Sequence, residues 1–158
     1  SGIATPGALH ILINNAAIMG GELVRDARGY EAQFATNHLG HFQLTNELLP
    51  VLRAAGGARV VEVSSWGGHH LSDIRWDDPH FESEYDPHGG LRAVEDRNVL
   101  FAVELDRLWS GDGIRGYSLH PPGGIVTTNL APWLTLEDWR TMGLVGEDGS
   151  RSSTRTTT

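Results

Sequence analysis

Neither cysteine nor lysine occurs in the 158 residues. Without cysteine there is no disulfide and no thiolate metal site, and cysteine usage leaves the redox compartment open. All 12 basic side chains are arginine, set against 20 acidic ones, for a formal charge of -8. That balance gives no electrostatic footprint for nucleic acid or an anionic membrane, so small-molecule chemistry is the expectation. No apolar run approaches the roughly 20 residues of a spanning helix, and residues 1–8 lack both the basic start and the apolar stretch of a signal peptide. A soluble, cytoplasmic chain with no membrane partner is expected. Its length suits one domain or a piece of one, at about 100–200 residues per domain.

What is present alternates between strand-like and helix-like patterns. Leu9-His10-Ile11-Leu12-Ile13 is a short apolar run closed by Asn14-Asn15, as in a buried parallel strand entering a turn. Over residues 30–54, Phe34, Leu39, Phe42, Leu48 and Leu52 recur near helical spacing, which predicts one long helix, with Gly40 inside it where something packs close. Gly56-Gly57 ends that helix, and the β-branched residues 59–63 make a second strand running into Ser64-Ser65. Residues 66–90 are rich in Asp, His, Gly and Pro, and Asp77-Asp78-Pro79 and Asp86-Pro87 break any regular element there. A second helix is predicted over residues 94–109 and a third strand over residues 114–119. The resulting fold class is α/β: a partial, Rossmann-like, doubly wound parallel sheet of about three strands with flanking helices. Residues 1–150 are expected to form the carboxy-terminal part of such a Rossmann-like domain, and the Ser/Thr/Arg tail, residues 151–158, is expected to be disordered.

Strand carboxyl ends feeding Gly- and Asn-rich turns are where open α/β sheets bind ligands. Ser65 lies at such an end and could hydrogen-bond a substrate oxygen as charge develops on it; it could also be an ordinary turn or cap serine. Asn37 interrupts an apolar helix face and needs partners if buried, which favours a network role over a surface one. Asn14 and Asn15 could equally form an Asx turn. His38 with His41, and His69 with His70, lie close in sequence, but a metal site needs three or four converging ligands, so no metal is expected.

Four segments in order, within residues 9–144, resemble the short-chain dehydrogenase/reductase family, and in particular its retinol-dehydrogenase-like branch. Leu12-Ile13-Asn14-Asn15-Ala16-Ala17 is similar to the family's Asn-Asn-Ala-Gly turn, with Ala17 where glycine is usual. Asn37, within Thr36-Asn37-His38-Leu39-Gly40-His41, matches the asparagine of the catalytic tetrad. Val63-Ser64-Ser65 matches the strand end that carries the catalytic serine, at Ser65. His120-Pro121-Pro122-Gly123-Gly124-Ile125-Val126-Thr127 resembles the segment that wraps the nicotinamide, with one extra proline. The resemblance implies an NAD- or NADP-dependent oxidoreductase acting on a small alcohol or carbonyl. It assigns cofactor contacts to Asn14, Ala16, Pro122, Gly123, Ile125 and Thr127, and it implies a homodimer paired through the two long helices.

The same resemblance exposes what is missing. The family's proton-relay tyrosine and the lysine four residues later align here with Leu91 and Glu95. Leucine transfers no proton, and a carboxylate raises a phenol's pKa where a lysine lowers it. Tyr85 lies six residues before Leu91 and has Gly89 four positions on, so it is a poor substitute. The family's Gly-rich phosphate turn is also absent, so nucleotide binding by these residues is expected to be weak. Residues 91–97 can be encoded so that a frame shifted by one base reads Tyr-Gly-Gln-Ser-Lys-Thr-Ala, which carries the missing pair. A compensated frameshift between about Gly89 and Asn98, either a genuine lesion or a reading error, is therefore the expected origin of the departure. The other reading is a non-catalytic remnant acting as a helix-mediated dimerisation or binding module.

Overall fold

A computed structural model describes residues 7–65, 74, 76–78, 81–83, 85, 87–121, 130, 135–141 and 145. Three strands, β1 (Ile11–Asn14), β2 (Ala58–Val63) and β3 (Ile114–Leu119), form one parallel sheet in sequence order. The α/β, partial Rossmann-like reading holds. In register, Leu12 faces Val60 and Asn14 faces Glu62, while Val60 faces Gly116 and Glu62 faces Ser118. Each strand therefore sends alternate residues to a common face. On the covered face, Ala58, Val60 and Ile114 bury against Leu52, Phe101 and Leu105, with Leu9, Leu12, Leu48, Leu49 and Trp109 around them. On the other face Ile11, Ile13, Tyr117 and Leu119 are exposed.

The single helix expected over residues 30–54 is broken into pieces: α1 (Ala32–Phe34), a π-helical turn (Ala35–Leu39), α2 (Gly40–Glu47) and α3 (Leu49–Ala54). The break at Leu48 precedes Pro50, which has no N–H and crowds the carbonyl four residues back. Gly40 meets no neighbouring element. A Cβ there would stand 3.3 Å from the carbonyl oxygen of Ala35, within its own π turn. The close approach lies instead at Gly116, where a Cβ would run into the backbone of Ala102.

The second long helix, α4 (Pro87–Trp109), starts before the expected Val94. Pro87 reads as a breaker in sequence, yet it sits at the first helical position, where no N–H is required and its fixed φ suits the helix. A column of rings joins the two helical layers: Phe34 stacks on His38 at 5.6 Å, and Phe101 of α4 reaches Phe42 at 5.2 Å. A short α5 (Leu136–Thr141) is capped by Thr135, whose hydroxyl accepts from the Asp138 N–H at 3.2 Å while Asp138 accepts from the Thr135 N–H at 2.7 Å. Among the described residues no helix is long and apolar enough to cross a membrane. The 151–158 tail, and with it the expected end of the domain at 150, lies outside the described residues.

Candidate functional site at the carboxyl edge of the sheet

All three strands end on one edge because parallel strands point their carboxyl ends the same way, and of the candidate residues Asn14 and Ser65 lie at these ends. Asn14 is the last residue of β1 and is buried. Its side-chain nitrogen donates to Thr45 Oγ1 at 2.9 Å and to Glu62 Oε1 at 2.5 Å. Both amide hydrogens are thus directed inward, so a ligand passing this position meets the backbone of the following turn. Ala16, in that turn, is exposed. Ser65 is half-buried just beyond β2, and the preceding Ser64 N–H donates to the Leu119 carbonyl at 2.7 Å, tying the ends of β2 and β3 together.

Asn37 sits in the middle of the π turn and is buried. Its side chain copies a backbone pairing: Oδ1 accepts from the Ile18 N–H at 2.9 Å, and Nδ2 donates to the Ile18 carbonyl at 2.8 Å. One turn earlier, Gln33 Oε1 accepts from the Gly20 N–H at 2.8 Å. Two polar side chains on one helical segment thus grip the loop after β1. A π turn shifts hydrogen bonding by one residue, from i→i+4 to i→i+5. Here the Asn37 carbonyl accepts from Asn98 Nδ2 of α4 at 2.9 Å.

The other end of the Asn98 amide faces His38, with Oδ1 at 2.8 Å from His38 Nδ1. A carbonyl oxygen only accepts, so Nδ1 carries the imidazole proton. Burial holds His38 below its ordinary pKa; the Asn98 contact opposes this, and Arg97 and His41 reinforce it. His38 and His41 therefore turn to different partners, Asn98 and Glu62. Tyr85 is held in place too: its hydroxyl accepts from Gln33 Nε2 at 3.3 Å and donates to Glu31 Oε1 at 3.4 Å.

Asn98, Gln33, Thr45 and Glu62 escaped sequence reasoning, and His41 entered it only as a candidate metal ligand. Glu62 is a charged residue at an inward position of an apolar strand, a signal that could have found it. Leu91 and Glu95 lie on α4, two turns and one turn before Asn98. Pro122, Gly123, Ile125 and Thr127 lie outside the described residues. A cavity of about 500 Å³ opens beside the gripped loop, between Ile18, Gly20, Gly21, Val24 and Gln33.

Comparison with known proteins bears on this geometry. Residues 3–74 match the family model for short chain dehydrogenases. Retinol dehydrogenase 12 of Bos taurus is 41% identical over 128 residues, covering 81% of this chain and 40% of its own length. A crystal structure of an uncharacterised protein from Mycobacterium paratuberculosis superposes with a TM-score of 0.67 at 38% identity, over 79% of this chain and 45% of that one. A gluconate 5-dehydrogenase from Burkholderia cenocepacia, solved with NADP and tartrate, shares the fold at 20% identity and a TM-score of 0.56, over 78% of this chain and 44% of that one. The chain spans less than half the length of the curated relatives it matches, from 35% to 48% among those most similar to it.

Proposed function

The chain belongs to the short-chain dehydrogenase/reductase family, in its retinol-dehydrogenase-like branch, and from that premise we propose that it derives from an enzyme moving hydride between a nicotinamide cofactor and an alcohol or carbonyl, and that the present residues are catalytically silent. In this reading residues 1–150 are part of a Rossmann-like domain. Ser65 polarises the substrate oxygen, and Asn37 supports a proton-relay water. Asn14, Ala16, Pro122, Gly123, Ile125 and Thr127 line the cofactor. When bound, NAD or NADP supplies the hydride acceptor or donor. Of these residues, Asn14 directs its side-chain nitrogen to Thr45 and Glu62, so it would meet a nucleotide through its backbone.

The observation that carries the reading is the content of α4. The helix bonded to the Asn37 carbonyl through Asn98 carries Leu91 and Glu95, the two residues that the resemblance aligns with the relay pair. An aliphatic group cannot exchange a proton, and an anion disfavours ionisation of any acid beside it. Purified chain mixed with NADH or NADPH and retinal is expected to show no nucleotide oxidation above the enzyme-free rate; clear turnover overturns the proposal of silence. A compensated frameshift accounts for the relay positions. Sequencing the coding DNA across codons 89–98 checks it, and codons unrelated to the shifted Tyr-Gly-Gln-Ser-Lys-Thr-Ala frame refute it. A cytoplasmic location belongs to the same reading and is checked by cell fractionation.

A second reading, a non-catalytic module that pairs through its helices, has one observation in its favour. Phe42 and Leu44 on α2 and Leu100, Val103 and Leu108 on α4 are large apolar residues exposed on helix surfaces. Light scattering that gives a discrete dimer, returned to monomer by Val103→Glu, supports it.

A further inference from the structure

Behind the strand ends lies a polar pair, Glu62 and His41, neither of which has a part in the proposed chemistry. Glu62, at the inward register of β2, is fully enclosed. Its Oε1 accepts from Asn14, while Oε2 has no hydrogen-bond partner. The imidazole of His41 on α2 is buried beside it, with Nδ1 at 3.7 Å from Oε2 and neither ring nitrogen in a hydrogen bond of regular geometry. A buried carboxylate with one neutral donor is poorly solvated, and an imidazolium in the same enclosure is no better off.

We propose that Glu62 is a neutral carboxylic acid whose Oε2 proton faces His41 Nδ1, and that the pair, through Asn14 and Thr45, is a pH-sensitive latch holding the end of β1 against α2. Glu62 is in this sense a positioning residue. It orients the Asn14 amide, and Asn14 opens the turn that Asn37 and Gln33 grip further along. The latch operates whether or not the chain binds a nucleotide.

The surroundings favour the neutral form. From β1 the facing group is the uncharged Asn14, and α2 adds Thr45 and His41. On β3 the residue in register with Glu62 is Ser118. The nearest further charges act at one remove: His38 bears on His41 along their own helical segment, and Arg97 of α4 bears on His38. Burial pushes the Glu62 carboxyl up to about 7, with the Asn14 hydrogen bond opposing. Burial also holds His41 below its ordinary value, and the Ala16 backbone opposes that only in part.

The two groups act on stability with opposite signs. Because the Glu62 acid is raised from 4.5 to about 7, its contribution is complete below pH 4.5 and is lost as pH rises through 7. His41 is lowered, so its contribution is complete above its ordinary value of 6.5 and is lost as pH falls through the folded value. Glu62→Gln keeps an acceptor for Asn14 but cannot ionise, so only the histidine slope should survive.

Infrared spectra of the whole chain should show a protonated carboxyl carbonyl band that fades as pH rises through 7 and is missing in Glu62→Gln. In urea unfolding, the stability of Glu62→Gln relative to wild type should gain up to about tenfold in equilibrium constant per pH unit between 4.5 and 7. Glu62→Gln should also restore the stability that Glu62→Ala loses. A wild-type spectrum without that band below pH 7, or a variant whose stability follows the wild-type pH slope, overturns the proposal. The infrared arm reads the carboxyl directly and decides even where a variant loses its fold.

Discussion

Asn98 is the side chain on which two helices converge. It supplies a donor to the Asn37 carbonyl and an acceptor to His38 Nδ1, both from a buried position. Asn98→Ala strands a helix carbonyl and an imidazole N–H together, and each unsatisfied buried group costs about 1–3 kcal/mol. The urea midpoint should fall accordingly, and the His38 ring nitrogen shifts in NMR should lose the signature of a fixed Nδ1–H tautomer. Asn37 was legible in the sequence because an asparagine on an apolar helix face demands partners. Asn98 was passed over, since an amide beside charged residues on a helix reads as surface until the partner helix is in place. Glu62 and His41 are 21 positions apart in the chain, so no local pattern joins them.

At the scale of elements, the strand and helix order was readable while the interior of the first helix was not. Apolar recurrence over residues 30–54 reads as one helix because the five-residue step from Phe34 to Leu39, which spans the π turn, does not stand out among the other spacings. The π turn's partners are tertiary: the Asn37 carbonyl accepts from Asn98, and the Asn37 side chain pairs with Ile18. Pro87 shows the converse, a residue whose meaning depends on whether the helix begins at it or crosses it. Gly116 is the tightest contact between α4 and β3, against the Ala102 backbone. Gly116→Ala forces α4 outward and should destabilise the chain by about 1–3 kcal/mol, measured by thermal or urea unfolding. Gly113, at φ 78° and with the Gly56 carbonyl 3.1 Å from any added Cβ, should tolerate alanine poorly for both reasons.

For the molecule as a whole, the controlling feature is a parallel sheet that, among the described residues, is covered on one face. Such sheets are ordinarily buried on both. Here Ile11 and Ile13 are 56% and 60% exposed, and Tyr117 and Leu119 lie on the same face. The chain is expected to bind a hydrophobic dye under native conditions, and Ile13→Glu with Leu119→Glu should reduce the fluorescence more than Val103→Glu on the helical side does. By itself the sequence determined the alternation of strands and helices, and with it the α/β class and the edge where the candidate residues gather. It did so because side-chain period and turn chemistry are local properties. Only the tertiary structure decided which polar groups are joined, Glu62 to Asn14 and His41, and Asn98 to Asn37 and His38, because burial and hydrogen bonding depend on what another segment brings to the same place.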